Sequence, residues 1–310
     1  MPRRTILDYF FLLRPLILIP VWNFLMIGSF LARGHRGLTS DIIIGLVLYT
    51  CVMGGVYILN QIMDRETDRI NKKLFLISEG HIPVWHAYIY IAVLWVLALM
   101  LSFPYGTLFI IVVLMSMVLG ILYSTPPIKL KGKPIMDTLA NGLGYGMVNF
   151  TVGWLLVSQY DPAMVYRFFP YVLSISAVFV NTTIVDLEGD KATKEFTTAV
   201  LLGIPSSYIV SMILMTVAVI WAYMNQDLVC LLPALISLPL FIFTAFYALV
   251  KHRIHRKMTI ASFRVPGVLF TIVTGYLYPL YAVFLIFLLL IMRAYYKKRF
   301  NMVYPTISGG

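Results

Sequence analysis

Nine runs of about 20 largely apolar residues constrain this chain more than any other feature, because a helix needs about that length to cross a bilayer. The runs cover residues 15–32, 41–63, 86–103, 105–123, 136–158, 167–187, 203–224, 229–250 and 266–292. Of the 310 residues, 60% are hydrophobic and only 12% are charged, and the mean hydropathy is +0.88. A backbone in the hydrocarbon core must satisfy its own polar groups, so the runs predict an all-α, multi-pass membrane protein with nine transmembrane helices.

The basic residues predict how these spans are oriented, since cytoplasmic loops are enriched in lysine and arginine. With the N-terminus inside, 17 of the 24 basic residues fall in cytoplasmic segments. The basic tail, residues 293–299, then falls outside, against the rule. Either the earlier helices dominate the orientation, or one span is miscounted. The net charge of +11 reflects these loops, so it does not predict nucleic-acid binding. We expect one domain, residues 1–310, in the cell membrane if the source is prokaryotic.

Two acidic stretches stand out at the polar ends of apolar runs. Asn60, Asp64 and Asp68 are spaced four residues apart, which places them on one face of a helix, and Asp186 and Asp190 repeat this spacing. Like charges at this spacing repel each other, so the pairs are not helix stabilisers and we expect a cation between them. Solvated helix ends without a ligand are the alternative. Two matching clusters at one face of the membrane favour a functional site on the cytoplasmic side.

The chemistry of these acidic residues predicts a hard divalent cation. Their donors are all oxygen, with no cysteine or histidine nearby, which selects magnesium, manganese or calcium rather than zinc. Magnesium is favoured because it binds through one or two carboxylates together with substrate phosphates. A site divided between two helices therefore predicts a bridging diphosphate, and a diphosphate at a membrane implies a lipid tail. The predicted catalytic residues are Asp64, Asp68, Asp186 and Asp190.

Basic residues flank both acidic stretches. They are Arg65, Arg69, Lys72 and Lys73 after the first, Lys191 and Lys194 after the second, and Lys129, Lys131 and Lys133 between them. Each alone is explained as a loop charge, but together they can neutralise phosphate oxygens as a diphosphate leaves. Allylic diphosphates ionise in this way to a carbocation. Among the aromatic residues of the spans, only Tyr123 is a candidate for contact with the substrate.

Taken together, these motifs resemble the UbiA superfamily of intramembrane prenyltransferases. The resemblance rests on the two aspartate motifs and on four further segments along the chain. These segments are Leu13-Arg14-Pro15, Tyr123-Ser124-Thr125-Pro126-Pro127 with Lys129 and Lys131, Asn141-Gly142-Leu143-Gly144-Tyr145-Gly146, and Glu188-Gly189-Asp190-Lys191. The chain departs from the family pattern at Gln61, where many members carry aspartate. It also departs at Phe75-Leu76, where members carry Arg-Pro and a phosphate-binding arginine is expected.

The resemblance implies nine helices around a central cavity, a cytoplasmic-side magnesium diphosphate site, and a lateral opening for the isoprenoid chain. It implies that the metal ligands are Asn60, Asp64, Asp68, Asp186 and Asp190. It further implies that Lys129, Lys191 or Lys194 contacts phosphate, and it adds Asn141 to the substrate-binding candidates, which also include Asn60 and Tyr123. Lys72 and Lys73 are the candidates to replace the missing arginine.

The leading hypothesis is magnesium-dependent transfer of a prenyl group from a polyprenyl diphosphate to an aromatic or lipid-alcohol acceptor within the bilayer. A membrane terpene cyclase or diphosphate lyase is one alternative, because it needs the same ionising site but no acceptor. A cation-coupled transporter is another, although transporter carboxylates are expected near the midplane rather than at helix ends. The sequence does not give the acceptor or the length of the prenyl chain.

Overall fold

The computed structural model describes residues 5–34, 37–70, 75–192 and 195–304, and every regular element in these ranges is helical. The α-helices, in chain order, are α1 Ile6–Leu12, α2 Pro15–Arg33, α3 Ser40–Met63, α4 Arg65–Ile70, α5 Phe75–Ser78, α6 Val84–Ser102, α7 Thr107–Ser124, α8 Met136–Asn141, α9 Phe150–Leu155, α10 Ala163–Ala192, α11 Thr198–Leu202, α12 Ile204–Met224, α13 Leu228–Lys251, α14 Arg256–Leu277 and α15 Pro279–Phe300. A π-helix, Gly142–Asn149, joins α8 to α9. The prediction of an all-α membrane protein is confirmed.

Nine helices within the described ranges are long and apolar enough to cross a membrane, the number that the sequence predicts. Seven of them match predicted spans, and the other two, α14 and α15, share the predicted span 266–292. The predicted span 136–158 is not among the nine. The predicted span 266–292 was wrong as a single helix, because it divides into α14 and α15 at Tyr278, whose backbone (φ −131°, ψ 80°) is not helical. The residue before a proline is disfavoured in the helical region, and Tyr278 precedes Pro279.

The predicted span 136–158 is an interrupted helix made of α8, the π-helix and α9. Its two ends lie at opposite faces of the bundle. The backbone N–H of Ile135 donates to Thr198 Oγ1 at 2.8 Å, close to the second acidic stretch. The carbonyl of Val157 accepts from Arg33 Nε at 3.1 Å, at the far end of α2. With this segment, ten stretches of the described chain run between the two faces of the bundle, and nine helices are long and apolar enough to cross a membrane.

An even number of crossings returns the end of α15 to the face where α1 lies. The contact between them is direct, since Arg299 Nε lies 3.2 Å from Oδ1 of the fully buried Asp8. Tyr295 Oη donates to the same carboxylate oxygen at 2.5 Å. Of the two explanations for the basic tail, the structure therefore supports a miscounted span. Residues 293–299 lie on the face that carries the start of α2.

Close packing of α2 against α9 fixes the position of the interrupted helix. A Cβ atom on Gly28 would lie 2.1 Å from the carbonyl oxygen of Phe150, and one on Gly153 would lie 1.7 Å from that of Leu25. The two backbones therefore touch at positions where only glycine fits, as is common between membrane helices. On its other side, the π-helix packs against α10, where a Cβ on Gly146 would meet the backbone of Val172. This packing holds the π-helix between α2 and α10.

Candidate active site

A cavity of about 420 Å³ lies between α3, α7 and the π-helix. Its mouth carries polar and charged side chains, namely Arg14, Asn60, Asp64, Tyr123, Ser124, Lys131 and Asn141. Most of the residues that line its interior are apolar, including Met53, Val56, Leu119 and Val148. The volume falls in the range of small-molecule sites, which combine apolar walls with a few polar groups.

The first acidic stretch keeps the predicted register although α3 ends within it. The last residue of α3 is Met63, and Asp64 follows as its C-cap with its N–H 2.9 Å from the Asn60 carbonyl. The N–H of Asp68 then donates to the Asp64 carbonyl at 2.8 Å, in α4. Asn60 Nδ2 donates to Asp64 Oδ2 at 3.0 Å, so the carboxylate is oriented by the residue one turn before it. Asn60 and Asp64 both line the cavity, and Asp68 does not.

Lys131 is the cation that faces Asp64. Its Nζ donates to both carboxylate oxygens and lies 2.5 Å from Oδ2, and both side chains are largely buried, at 15% and 24% exposure. Lys129, the predicted phosphate ligand of the same loop, lies outside the cavity and forms an ion pair with Glu195 at 2.6 Å. Lysine in a partly buried site acts as a compact positive charge suited to phosphate oxygens. Of these two lysines, Lys131 lines the cavity and Lys129 does not.

The second acidic stretch occupies the last turns of α10. Asp190 is partly buried and accepts a hydrogen bond from Thr197 Oγ1 at 2.8 Å, while Asp186 and Lys191 are exposed. None of these three residues lines the cavity that contains Asp64. The sequence predictions for Lys72, Lys73 and Lys194 lie outside the described residues.

The donor set at the mouth fits a magnesium ion that completes its shell with substrate. Among the described residues, no three His, Cys, Asp or Glu side chains lie close enough to hold a metal by themselves. Magnesium typically takes one or two carboxylates and fills its remaining positions with water and phosphate oxygens. Asp64 offers such oxygens, and its present partner is the ammonium of Lys131. The ammonium of Lys131 thus balances the negative charge of the Asp64 carboxylate, and a divalent cation is attracted to that carboxylate in the same way.

The π-helix and α7 form the opposite wall of the cavity. Asn141 Nδ2 donates to Tyr123 Oη at 3.0 Å and to the Asp137 carbonyl at 2.7 Å, so the structure brings these two predicted substrate-binding residues together. Tyr57 of α3 and Tyr145 of the π-helix both line the cavity, and their hydroxyl oxygens lie 2.9 Å apart. π-helical segments are rare and occur often at functional sites.

Sequence reasoning missed several residues of the cavity. Arg14 lines the mouth from the turn between α1 and α2, where its φ of +57° places it in the left-handed region. The side-chain Nδ2 of Asn149 is buried in the cavity wall and has no hydrogen-bond partner among the described residues. Met53 and Tyr57 were detectable, because they continue the helix face of Asn60 and Asp64 at spacings of three and four residues. Arg14 lies in the Leu13-Arg14-Pro15 segment of the resemblance, which gave it no role in the site. The local sequence around Asn149 contains no comparable signal.

Comparison with known proteins gives consistent results. Residues 21–265 match the model of the UbiA prenyltransferase family. A lycopene elongase/hydratase from Haloarcula japonica is 27% identical over 215 residues, which cover 67% of this chain and 71% of that protein. A digeranylgeranylglyceryl phosphate synthase from Methanosphaera stadtmanae is 25% identical over 231 residues, or 71% and 83% of the two chains.

The fold also matches a solved structure. A UbiA homologue from Archaeoglobus fulgidus, bound to GPP and Mg2+, superposes with a TM-score of 0.68 at 20% sequence identity. The match covers 87% of this chain and 99% of that one. It shows that the arrangement of helices is shared along nearly the whole chain.

Proposed function

Since the chain belongs to the UbiA prenyltransferase family, we propose that this prenyltransferase moves a prenyl group from an allylic polyprenyl diphosphate to an aromatic or lipid-alcohol acceptor inside the membrane. The cofactor is Mg2+, and the site opens on the cytoplasmic side. Family membership favours this enzymatic reaction over the cation-coupled transporter that the sequence left open.

The observation that carries the proposal is the division of the cavity into a charged mouth and an apolar interior. An allylic diphosphate has the same division, with an anionic head and a hydrocarbon tail. Lys131 and Arg14 bring positive charge to the mouth, and Asn60 orients the Asp64 carboxylate beside them. Met53, Val56 and Leu119 line the space beyond.

The reaction breaks the bond between C1 of the donor and its diphosphate oxygen and forms a bond between C1 and the acceptor, which loses a proton. Bound Mg2+ stabilises negative charge on the diphosphate oxygens. Lys131 and Arg14 are placed to stabilise the same developing charge. The apolar walls exclude water, which is the competing nucleophile. Tyr57, Tyr123 and Tyr145 line the cavity, and aromatic faces attract cations such as the prenyl cation.

The ten crossings support the cytoplasmic assignment of the mouth. They place the basic tail, including Lys297, Lys298 and Arg299, on the face that carries Lys129 and Lys131. Basic residues in short loops mark the cytoplasmic side. The nine-span topology put this basic tail on the opposite face. Moving it to the face of the cavity mouth increases the excess of positive charge there.

The test uses purified protein with Mg2+, a series of allylic diphosphates and aromatic or lipid-alcohol acceptors. It measures diphosphate release together with the mass of the prenylated product. Asp64→Asn should lower the rate by about 10²-fold or more, because it removes the carboxylate at the mouth that would hold the metal and diphosphate. The resemblance to the family predicts a similar loss for Asp186→Asn, although Asp186 lies outside the cavity. Asp161→Asn is the matched control, since this exposed aspartate precedes α10 at the opposite face. Full activity in both acidic variants contradicts the proposed site.

A further inference from the structure

On α3, α7 and the π-helix, the residues that line the cavity stop at a similar depth below the charged mouth. Along α3 its lining residues run from the Asp64 end as far as Tyr49. Along α7 they begin near Ser124 and stop at Ser116, and along the π-helix they stop at Asn149. Tyr49, Ser116 and Asn149 are therefore the lining residues farthest from the charged mouth, and they form an inner end to the cavity.

The ring of Tyr49 is fixed across this inner end. Tyr49 is fully buried, and its hydroxyl lies 2.8 Å from Ser116 Oγ on α7. The Ser116 hydroxyl donates to the Val112 carbonyl at 2.9 Å, so Tyr49 is the donor in the bond between the two side chains. A hydrogen bond at the tip of a buried ring keeps the side chain in one orientation. The ring therefore bridges α3 and α7 as a wall.

The two helices leave little room for the cavity to widen between them. A Cβ atom on Gly120 of α7 would lie 2.3 Å from Cγ2 of Val56 on α3, so the helices approach closely between the mouth and the ring. Gly120 and Val56 both line the cavity, as do Met53 and Leu119. A chain that enters from the mouth along α3 is thus guided by apolar side chains toward Tyr49.

The distance available to such a chain follows from helix geometry. Asn60 and Tyr49 are 11 residues apart on one helix, which corresponds to about 16 Å at 1.5 Å per residue. Extended chains advance about 1.2 Å per bond, so an isoprene unit with four main-chain bonds spans about 4 to 5 Å. Three units fit between the two residues. A fourth unit reaches the ring.

We propose that Tyr49, held by Ser116, limits the length of the donor chain, and that the preferred donor is an allylic diphosphate of three isoprene units. This inference rests on the proposed prenyl transfer and adds the class of donor to it. The limit is steric, because the residues farther from the mouth on the same two helices, such as Leu48, Phe109 and Val113, are fully buried in the core. Removal of the ring should admit a longer chain.

The experiment compares allylic diphosphates of two, three, four and five isoprene units in wild type and Tyr49→Ala, with Mg2+ and one acceptor. Wild-type protein should prefer the three-unit donor. Tyr49→Ala should raise the ratio of four-unit to three-unit turnover by at least about tenfold, the range in which a hydrophobic pocket discriminates chain length. Tyr49→Phe keeps the wall and should keep the wild-type order of preference. If Tyr49→Ala does not fold, Tyr49→Leu takes its place in the comparison of donors, because leucine keeps more buried volume than alanine.

Tyr208→Ala is the matched control for loss of a buried tyrosine. Tyr208 is also fully buried and is hydrogen bonded to Thr259 at 2.5 Å, but it lies outside the cavity. It should lower stability without changing the donor preference. Equal wild-type turnover of three-unit and five-unit donors overturns the inference, as does an unchanged preference in folded Tyr49→Ala.

A second measurement separates this inference from the proposed function. The shift in Tm caused by each diphosphate with Mg2+ reports donor binding and needs no acceptor. A shift that is largest for the three-unit donor and moves to longer donors in Tyr49→Ala supports the length limit even if no product forms. Absence of product with every acceptor then contradicts the proposed transfer alone. A shift that does not depend on chain length in either protein contradicts the length limit.

Discussion

The ammonium of Lys131 holds the carboxylate of Asp64 at the mouth of the cavity, with Nζ 2.5 Å from Oδ2. Asp64 belongs to the acidic stretch that follows α3, whereas Lys131 belongs to the loop between α7 and α8. The two charges are thus brought together from separate parts of the chain. The pair places one positive and one negative group where the anionic head of a donor and its metal ion are expected to bind.

Lys131→Met should lower kcat for prenyl transfer by about 10²-fold, because it removes a buried cation that stabilises charge on the departing diphosphate. Lys129→Met should have a smaller effect, since Lys129 is paired with Glu195 outside the cavity. Steady-state kinetics of both variants, with the same donor and acceptor, makes the comparison. Equal losses in the two variants contradict the role given to Lys131.

A pH dependence of stability is expected from Asp8. Its burial disfavours the charged form, but hydrogen bonds from Tyr295 and Thr5 and the charge of Arg299 outweigh burial and lower the pKa of this carboxyl. A pKa that is lower in the folded state stabilises the fold above the unfolded value of about 3.9. That stability is lost as the pH falls through the folded pKa.

Asp8→Asn tests this expectation through Tm measured in detergent between about pH 3 and pH 7. This range includes the unfolded pKa of about 3.9. At pH 7 the variant should be less stable by about 2 to 3 kcal/mol, the usual contribution of hydrogen bonds to a charged group. It should also lose part of the acid-dependent decrease in Tm that wild type shows. Parallel pH profiles for the two proteins would refute the assignment.

Ten crossings predict that both ends of the chain lie on one side of the membrane. A fluorescent reporter that folds only in the cytoplasm should therefore give a signal when fused to either end. A third fusion within the loop that contains Asp161, between α9 and α10, should give none, because that loop lies at the opposite face. Signal from the N-terminal fusion alone would restore the nine-crossing topology.

The contact between α2 and α9 should not tolerate even a methyl group. Gly153→Ala introduces a Cβ atom 1.7 Å from the Leu25 carbonyl oxygen, so the helices must separate, at a cost of about 1 to 3 kcal/mol. Gly267→Ala in α14 is the control, since a Cβ there meets nothing within 4 Å. Thermal unfolding should show a lower Tm for the first variant only. A wild-type Tm for Gly153→Ala would mean that the two backbones lie farther apart.

Local periodicity predicted the parts of the site that depend on one helix. Asn60 and Asp64 were placed on one face from their spacing, and the backbone hydrogen bonds from α3 through Asp64 into α4 preserve that face. Tyr123 was a candidate from the aromatic residues of the spans and Asn141 from the resemblance, and they meet through a hydrogen bond of 3.0 Å. The pairing of Lys131 with Asp64 was not predictable, because it depends on how a loop folds back across the mouth.

Hydropathy also failed to predict where the backbone departs from a continuous α-helix. A window of apolar residues reads the same whether the chain forms an α-helix, a π-helix or two helices divided by one residue. It therefore gave residues 136–158 and 266–292 as equivalent spans, although the first contains a π-helix and the second breaks at Tyr278. Pro279 was the available signal for the break, because the residue before proline avoids the helical region.

The contact of Asp8 with Arg299 joins positions 291 residues apart. During synthesis α1 emerges before the other helices, whereas Arg299 emerges only after α2 to α14 have been made. Until then the Asp8 carboxylate has no arginine partner, and it cannot be buried at low cost. Stable docking of the first helix is therefore one of the last events of assembly, and a nascent chain that stops before α15 should leave that helix undocked.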